Sequence, residues 1–338
     1  AMDVIRKTRS IALLDEIMAA GATEFSDDLR QEIDSLRQEM GSDSDQPGSR
    51  VAITPSFSPS LRRKLTEVSQ RVVDAMPHPA GAPKSEVLFA TDHALVRLDA
   101  SGAESWPTTR RQLLDLHRKW MFEVRGERSA ESNAALDRLV QRYRELLPSP
   151  GNWVCPADAL WTVPWPILND EPSVLCLHPD LTGDMSPLPT DAKGVILLGC
   201  ADDLVHLQSE VMAIRELFPS TKVFPTATEA RAWLQSGESV DFVHVAGHAR
   251  FDPENPMFSH LVFSDGLITG AEISRSSFRT RLAVLNACDT GCLDSRNPYE
   301  PDGLVRAFLT KGASAVIAGL WPLDDAFARD FARSLYQS

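Results

Sequence analysis

VDFVHVAGHA at 240–249 and RLAVLNACDTG at 281–291 decide the fold of this chain. Each stretch is a short apolar run typical of a buried strand, and each ends in a residue able to do chemistry, His248 in the first and Cys288 in the second. Because the carboxyl ends of neighbouring parallel strands meet at one edge of an open α/β sheet, we expect the imidazole and the thiol to lie within proton-transfer distance. This layout is typical of a cysteine hydrolase.

His248 and Cys288 are therefore the catalytic candidates. An imidazole beside a thiol favours the thiolate, and the same ring can then protonate the leaving amine and activate the hydrolytic water. A buried structural histidine and a core cysteine are the alternative interpretation of the pair. Strand alternation places His244 on the face of His248, but its position inside the apolar run favours a buried, orienting role. Cys292 is a weaker candidate for a second reactive thiol.

The sequence around this pair resembles the CHAT branch of the caspase-like cysteine peptidases, a clan that includes separases and the clostripain-like and gingipain-like proteases. Beyond the His-Ala and Asn-Ala-Cys runs, the similarity extends through 253–261, 267–273, 303–309, 312–313 and 315–325, with a weaker block at 153–168. It spans roughly Val87 to the end of the chain. The resemblance implies an α/β, caspase-like fold, with a mostly parallel central sheet and helices on both faces.

The resemblance also implies how the reaction centre is completed. The backbone N–H groups of Cys288 and Ala249 correspond to the pair that holds the oxyanion in this clan. Family members usually have glycine where this chain has Ala249. The position two residues before the nucleophile, here Asn286, lines the primary specificity pocket in several such families, and its neutral amide selects neither charge.

Other substrate-binding candidates surround the pair in the sequence. Asp289 and Asp325 could form an anionic wall for a lysine or arginine side chain, with Trp321 as an apolar or cation–π surface. Ser259 ends the stretch 250–259, a predicted loop that could fold over a bound peptide. Each of these residues has an equally simple explanation as a loop or strand-end residue.

The composition of the chain limits the classes of molecule that we expect it to bind. A net charge of −13 disfavours a general nucleic-acid surface, and no apolar run approaches the length of about 20 residues that a membrane span requires. Five cysteines without a Cys-x-x-Cys pair indicate neither a zinc site nor a disulfide framework, which favours a reducing cytoplasm. Because glycine-rich phosphate-binding motifs are absent from the sequence, we expect no cofactor and no metal.

The pattern of the chain predicts a helical leader followed by an α/β domain. Amphipathic helices are predicted at 6–18, 25–40 and 61–76, so 1–83 is assigned to the leader and its linkers, with the end of a helical repeat array as one interpretation. The CHAT-like domain then covers 84–338, with an N-terminal half at 84–190 and a catalytic half at 191–338. A hairpin is predicted across Asp92-His93, and a long helical stretch at 110–147 with a break near Gly126.

These observations predict a cysteine endopeptidase that cleaves a dedicated protein substrate. The resemblance implies a bacterial cytoplasmic setting in defence or cell death, activation by a regulatory protein or sensor domain, and substrates such as gasdermin-like pore formers. We expect no direct binding to nucleic acid or membrane. A catalytically silent CHAT-like scaffold, or acyl transfer to a small molecule, are the alternatives. Since the family usually continues beyond the helix in which this chain ends, we expect a longer natural protein.

Overall fold

The computed structural model describes residues 86–99, 102–127, 129–149, 153–168, 174–176, 186–200, 203–292 and 303–337. Contacts divide the chain into two units, Ala1–Gly81 and Ala82–Ser338, and the described residues belong to the second. The predicted helical leader at 1–83 lies outside the described residues. None of the helices in these ranges is long and apolar enough to cross a bilayer.

The first of the described sheets lies in the N-terminal half. Its strands are β1 (Glu86–Ala90), β2 (Leu95–Asp99), β3 (Gly102–Trp106), β4 (Trp153–Pro156) and β5 (Val174–Leu175). They lie in the spatial order β3-β2-β1-β4-β5. The antiparallel pairing of β1 with β2 confirms the predicted hairpin, whereas β3 was not predicted. Strands β4 and β5 join in parallel.

Two helices, α1 (Arg110–Arg125) and α2 (Ala130–Leu146), lie between β3 and β4 in the chain. The helical stretch is interrupted at Gly126, as predicted, and a capping box between Thr109 and Gln112 begins α1. Helix α1 buries Leu113, Leu116 and Trp120, spaced by three or four residues, in the core that it shares with the sheet. Its last turn lies close to the candidate active site described below.

The catalytic half alternates strands and helices. In chain order they are β6 (Gly194–Leu198), α3 (Leu207–Leu217), β7 (Lys222–Phe224), α4 (Ala227–Leu234), β8 (Ser239–Ala246), β9 (Ala249–Arg250), β10 (His260–Phe263), β11 (Gly266–Thr269), α5 (Gly270–Ser274), β12 (Arg279–Asn286), α6 (Leu304–Leu309), β13 (Ala315–Ala318) and α7 (Asp325–Gln337). Strands β13-β12-β8-β6-β7 form a sheet in that order, and every pair in it is parallel. The predicted parallel sheet is confirmed.

The central strand β8 shows why helices cover both faces. Successive side chains of a strand point to opposite faces. Val243 and Val245 pack in the core that contains residues of α4, α5 and α6. Phe242 and Ala246 pack in the opposite core with residues of α3 and α7. Because both faces of β8 are buried, its sequence is an almost continuous apolar run rather than an alternating one.

A small antiparallel sheet of β11, β10 and β9 lies directly after β8 in the chain. It was not predicted, although β10 alternates buried and half-buried residues. Its edge strand β9 begins one residue after His248, so this sheet determines the direction in which the chain leaves the candidate catalytic histidine.

Candidate active site

The register of β8 and β12 brings the two catalytic candidates to the same edge of the sheet. The strands pair in parallel, with Leu285 opposite Val245 and Asn286 opposite Ala246. His248 and Cys288 each lie two residues beyond the last of these pairs. Neighbouring strands are about 4.8 Å apart, so equivalent positions at their ends lie side by side. The predicted placement at neighbouring strand ends is therefore observed.

Two glycines fix the point at which the chain turns after β8. Gly247 has a φ of +133°, a conformation that other residues rarely adopt. A Cβ on Gly247 would lie 2.9 Å from the Cα of Gly199, and a Cβ on Gly199 would lie 2.6 Å from the carbonyl oxygen of Val262. At Gly199 and Gly247 the backbones that follow β6 and β8 and the backbone of β10 are too close together for any side chain to fit between them. This close approach fixes the turn after β8 and therefore the position of His248, the next residue.

His248 is held by a residue that sequence reasoning missed. Its Nε2 lies 2.9 Å from Oδ1 of Asp203, and the two side chains are 38% and 73% exposed. The hydrogen bond from His248 lowers the pKa of Asp203, so the carboxylate accepts and Nε2 carries the proton. Nδ1 is the ring nitrogen that Asp203 leaves available. Asp203 follows β6, which is the neighbour of β8 in the sheet. An acidic residue shortly after a predicted neighbouring strand was therefore the feature of the sequence that indicated it.

The Cys288 sulfur faces the segment that follows β13. The backbone N–H of Leu323 donates to Sγ at 3.3 Å, and Sγ lies 3.9 Å from the Leu323 carbonyl oxygen, so the sulfur lies against the backbone of Leu323. In the described part of the chain, no hydrogen bond joins this sulfur to His248. Proton transfer between them therefore requires the Nδ1 edge of the ring to approach the sulfur.

The turn after Cys288 contains a residue with a positive φ and is held by hydrogen bonds to the end of β13. Asp289 has a φ of +57°, the positive φ expected where a chain turns sharply. Two residues later, Gly291 N–H donates to the Gly319 carbonyl at 2.8 Å, and Gly319 N–H donates to the Thr290 hydroxyl at 3.0 Å. These bonds fix the cysteine turn to the end of β13.

The backbone amide of Ala249 lies on the open side of β9. Ala249 is opposite Leu261 in the ladder with β10. Val262 N–H donates to the His248 carbonyl at 3.0 Å, so the hydrogen-bonded pair next to it is Val262 with His248. Hydrogen-bonded and non-hydrogen-bonded pairs alternate along an antiparallel ladder. Ala249 and Leu261 are therefore a non-hydrogen-bonded pair, and the Ala249 N–H points away from β10. A group placed between the two strand ends can accept from it, as an oxyanion would.

Three predicted substrate-binding residues form hydrogen bonds within the protein, and their roles in substrate binding stay predictions. Asn286 is 6% exposed, and its amide donates to Glu210 at 2.6 Å and to the Ala328 carbonyl at 2.9 Å. The buried Ser259 hydroxyl accepts from Asp252 N–H at 3.0 Å, closing the 250–259 loop. Asp325 accepts the His206 N–H at 2.9 Å. The partners of Asn286 and Asp325 are 76 and 119 residues away in the sequence, so residue type alone could not identify them.

The other two, Asp289 and Trp321, line a cavity beside the turn that follows Cys288. The cavity has a volume of 340 Å³ and lies between α1, the 3₁₀ turn Asp158–Thr162 and the loops after His248, Cys288 and β13. Asp289 is not an open anionic wall there, because it forms an ion pair of 2.9 Å with Arg125.

A buried polar network lies behind the two catalytic strands. His244 is fully buried, with Nε2 2.7 Å from Glu210 and Nδ1 3.2 Å from the Tyr336 hydroxyl. Glu210 also accepts from Asn286, and burial raises the pKa of Tyr336 well above its usual value. The network ties β8 and β12 to α3 and α7. Sequence reasoning found His244 but neither Glu210 nor Tyr336.

The five cysteines are all free and differ in environment. Burial raises the pKa of Cys176 from 9.0 to about 12. Burial, and then the charge of Asp289, raise the pKa of Cys292 to about 12 as well. Both thiols therefore stay protonated at neutral pH, which argues against Cys292 as a second reactive thiol. The described residues contain no group of three or more histidines, cysteines and acids that could hold a metal ion.

Comparison with known proteins gives one family. A model of the CHAT domain matches residues 134–338, more than half of the chain and all of the catalytic half. No curated protein matches the chain. The matched region includes both strands that carry His248 and Cys288.

Proposed function

Because this chain belongs to the CHAT domain family, which is associated with caspase-like cysteine peptidases, we propose that it is a cysteine endopeptidase that uses Cys288 and His248. The observation that carries this proposal is the register of β8 and β12, which gives the two residues equivalent positions beyond neighbouring strands. The hydrogen bond from the Leu323 backbone N–H to the sulfur adds support, because it holds the side chain of Cys288 in one position beyond β12.

The chemistry follows from these positions. Nδ1 of His248 takes the thiol proton, and the Cys288 sulfur attacks the carbonyl carbon of the scissile bond. The N–H groups of Ala249 and Cys288 hold the oxyanion that forms. The imidazolium then protonates the leaving amine, and the C–N bond breaks to leave a thioester. A water molecule that gives its proton to His248 hydrolyses the thioester and restores the thiol.

Asp203 acts on this reaction through His248. Its carboxylate accepts a hydrogen bond from Nε2–H at 2.9 Å, which orients the ring and stabilises the imidazolium that forms during proton transfer. Because both side chains are well exposed, this support is modest, and Asp203 is a positioning residue rather than a member of the reacting pair.

The biological setting is proposed from the family alone. We expect a dedicated protein substrate, for which gasdermin-like pore formers are one class, and a regulatory protein or sensor domain that activates cleavage. A role in bacterial defence and a cytoplasmic location complete the proposal.

Quantitative alkylation tests whether the thiol is reactive. With iodoacetamide at pH 7.5, we expect Cys288 to be modified more than about tenfold faster than Cys292, which burial keeps protonated. Mass spectrometry of tryptic peptides over a time course gives the rate for each cysteine. Uniformly slow modification of all five would favour the catalytically silent scaffold instead.

A further inference from the structure

The cavity beside the Cys288 turn is placed to contact a bound substrate. Phe251, which lines it, follows Ala249 by two residues, and Asp289, which also lines it, follows Cys288 directly. The amides of Ala249 and Cys288 are the ones proposed to hold the carbonyl oxygen. Each of these two amides is therefore within two residues of a residue that lines the cavity.

The walls of the cavity are largely aromatic. Trp120 is 4% exposed and Trp161 is 7% exposed, and Trp321 packs edge-on against Trp120 with ring centroids 5.5 Å apart. Phe251 forms part of the wall nearest β9. Such surfaces favour apolar and aromatic groups, and a volume of 340 Å³ is at the lower end of ligand pockets, enough for one large side chain.

The charges that line the cavity are already balanced. Arg125 and Asp289 form an ion pair of 2.9 Å, with side chains 48% and 20% exposed. Burial lowers the pKa of His117, the other titratable base in the lining, so this ring is neutral at pH 7. The cavity therefore carries no net charge with which to attract a charged side chain.

We infer, on the basis of the proposed peptidase function, that this cavity is the specificity pocket for the residue on the acyl side of the scissile bond, and that it selects a large uncharged side chain. Phenylalanine, leucine and methionine are the class that fits. The anionic wall predicted from Asp289 and Asp325 for a basic side chain is not formed here.

The ion pair excludes both kinds of charged side chain. A substrate carboxylate would compete with Asp289 for Arg125 and leave one carboxylate without a partner. A lysine or arginine could use the tryptophan faces as a cation–π surface, but it would lie beside the Arg125 guanidinium and meet like charge. The first case leaves a partly buried carboxylate without a partner and the second places two cations side by side, and both are unfavourable.

The test uses a series of peptides that differ only at the acyl-side residue, with Phe, Leu, Ala, Asp and Lys compared. We expect kcat/KM to be about tenfold to a hundredfold higher for Phe and Leu than for Ala, from the apolar area that each buries. Trp321→Ala should remove most of this preference. Trp106→Ala, a tryptophan of β3 outside the cavity lining, should keep it.

A second variant acts through charge and does not depend on the packing of Trp321. Arg125→Gln leaves Asp289 without its cation, so acceptance of Lys should rise relative to Phe by about tenfold or more. A preference for Asp or Lys in the wild type, or a Phe preference that Trp321→Ala leaves intact, would overturn the inference.

Binding separates this inference from the peptidase proposal. The same peptides titrated into Cys288→Ala protein by calorimetry should show the same order of affinity, with Phe and Leu tighter than Ala, Asp and Lys. If no peptide is cleaved by wild-type protein but this order is found, the peptidase proposal fails, while the preference of the cavity for large uncharged side chains stands. Equal affinities for all five peptides would refute the pocket assignment even if cleavage depends on Cys288.

Discussion

Replacing His248 by alanine is expected to lower kcat for peptide cleavage by a factor of about 10² to 10⁴, the usual contribution of a general acid–base residue. The variant should fold normally, because the side chain is 38% exposed and Asp203 is its hydrogen-bond partner. Steady-state kinetics on the best peptide substrate, together with thermal unfolding of both proteins, separates loss of chemistry from loss of structure.

Two controls define the specificity of this effect. His260→Ala removes a histidine of β10 whose Nδ1 lies 3.0 Å from the Phe258 carbonyl, and it should leave kcat close to the wild-type value. Asp203→Asn keeps an oxygen that can accept from Nε2 and should lower kcat by less than about tenfold, as expected for an exposed pair. A His248→Ala variant that keeps more than about a tenth of the activity would remove this residue from the mechanism.

Replacing Glu210 by alanine is expected to lower the free energy of unfolding by roughly 2–6 kcal/mol, at about 1–3 kcal/mol for each of the two buried groups that lose their acceptor. Glu210 accepts from His244 at 2.7 Å and from Asn286 at 2.6 Å, in a region where His244 is fully buried. Since water cannot replace the lost acceptor without rearrangement, one N–H of each group would be left without a partner, although Asn286 keeps its bond to the Ala328 carbonyl. Chemical denaturation measured by fluorescence gives the difference.

The matched control is Glu216→Ala, on the exposed side of the same helix α3. A surface substitution of this kind should change the free energy of unfolding by no more than about 0.5 kcal/mol. A Glu210→Ala loss below about 1 kcal/mol would show that the network contributes little to stability. Because Asn286 and His244 belong to the strands that carry Cys288 and His248, a large loss would also show that the catalytic strands depend on α3 and α7.

The parallel sheet and the positions of His248 and Cys288 beyond neighbouring strands were predictable because their signals are local. Strands buried on both faces are continuous apolar runs, and such runs end where the chain reaches the edge of the sheet. The pairing of β8 with β12 then follows from the rules for parallel sheets. The break between α1 and α2 was visible as Gly126, and the hairpin of β1 and β2 as two strand-like runs joined by polar residues.

The neighbours of the site were not predictable in the same way, because they come from distant parts of the chain. Asn286 bonds to Glu210, 76 residues away, and Arg125 pairs with Asp289, 164 residues away. The type of a residue indicates that a buried acid or amide needs a hydrogen-bond or ion-pair partner, but it does not indicate which residue of the chain is that partner. The sheet of β9, β10 and β11 was missed because its strands have only two to four residues, too short for a clear periodicity.

The central claim is that Cys288 cleaves peptide bonds in proteins, and the most direct measurement is mass spectrometry of new protein N-termini. Wild-type and Cys288→Ala proteins are incubated in parallel with a lysate of the organism that carries the gene, and the new termini are labelled and sequenced. We predict a small set of termini with the wild type, preceded by large uncharged residues, and none of them with Cys288→Ala. The same termini in both samples would contradict the account.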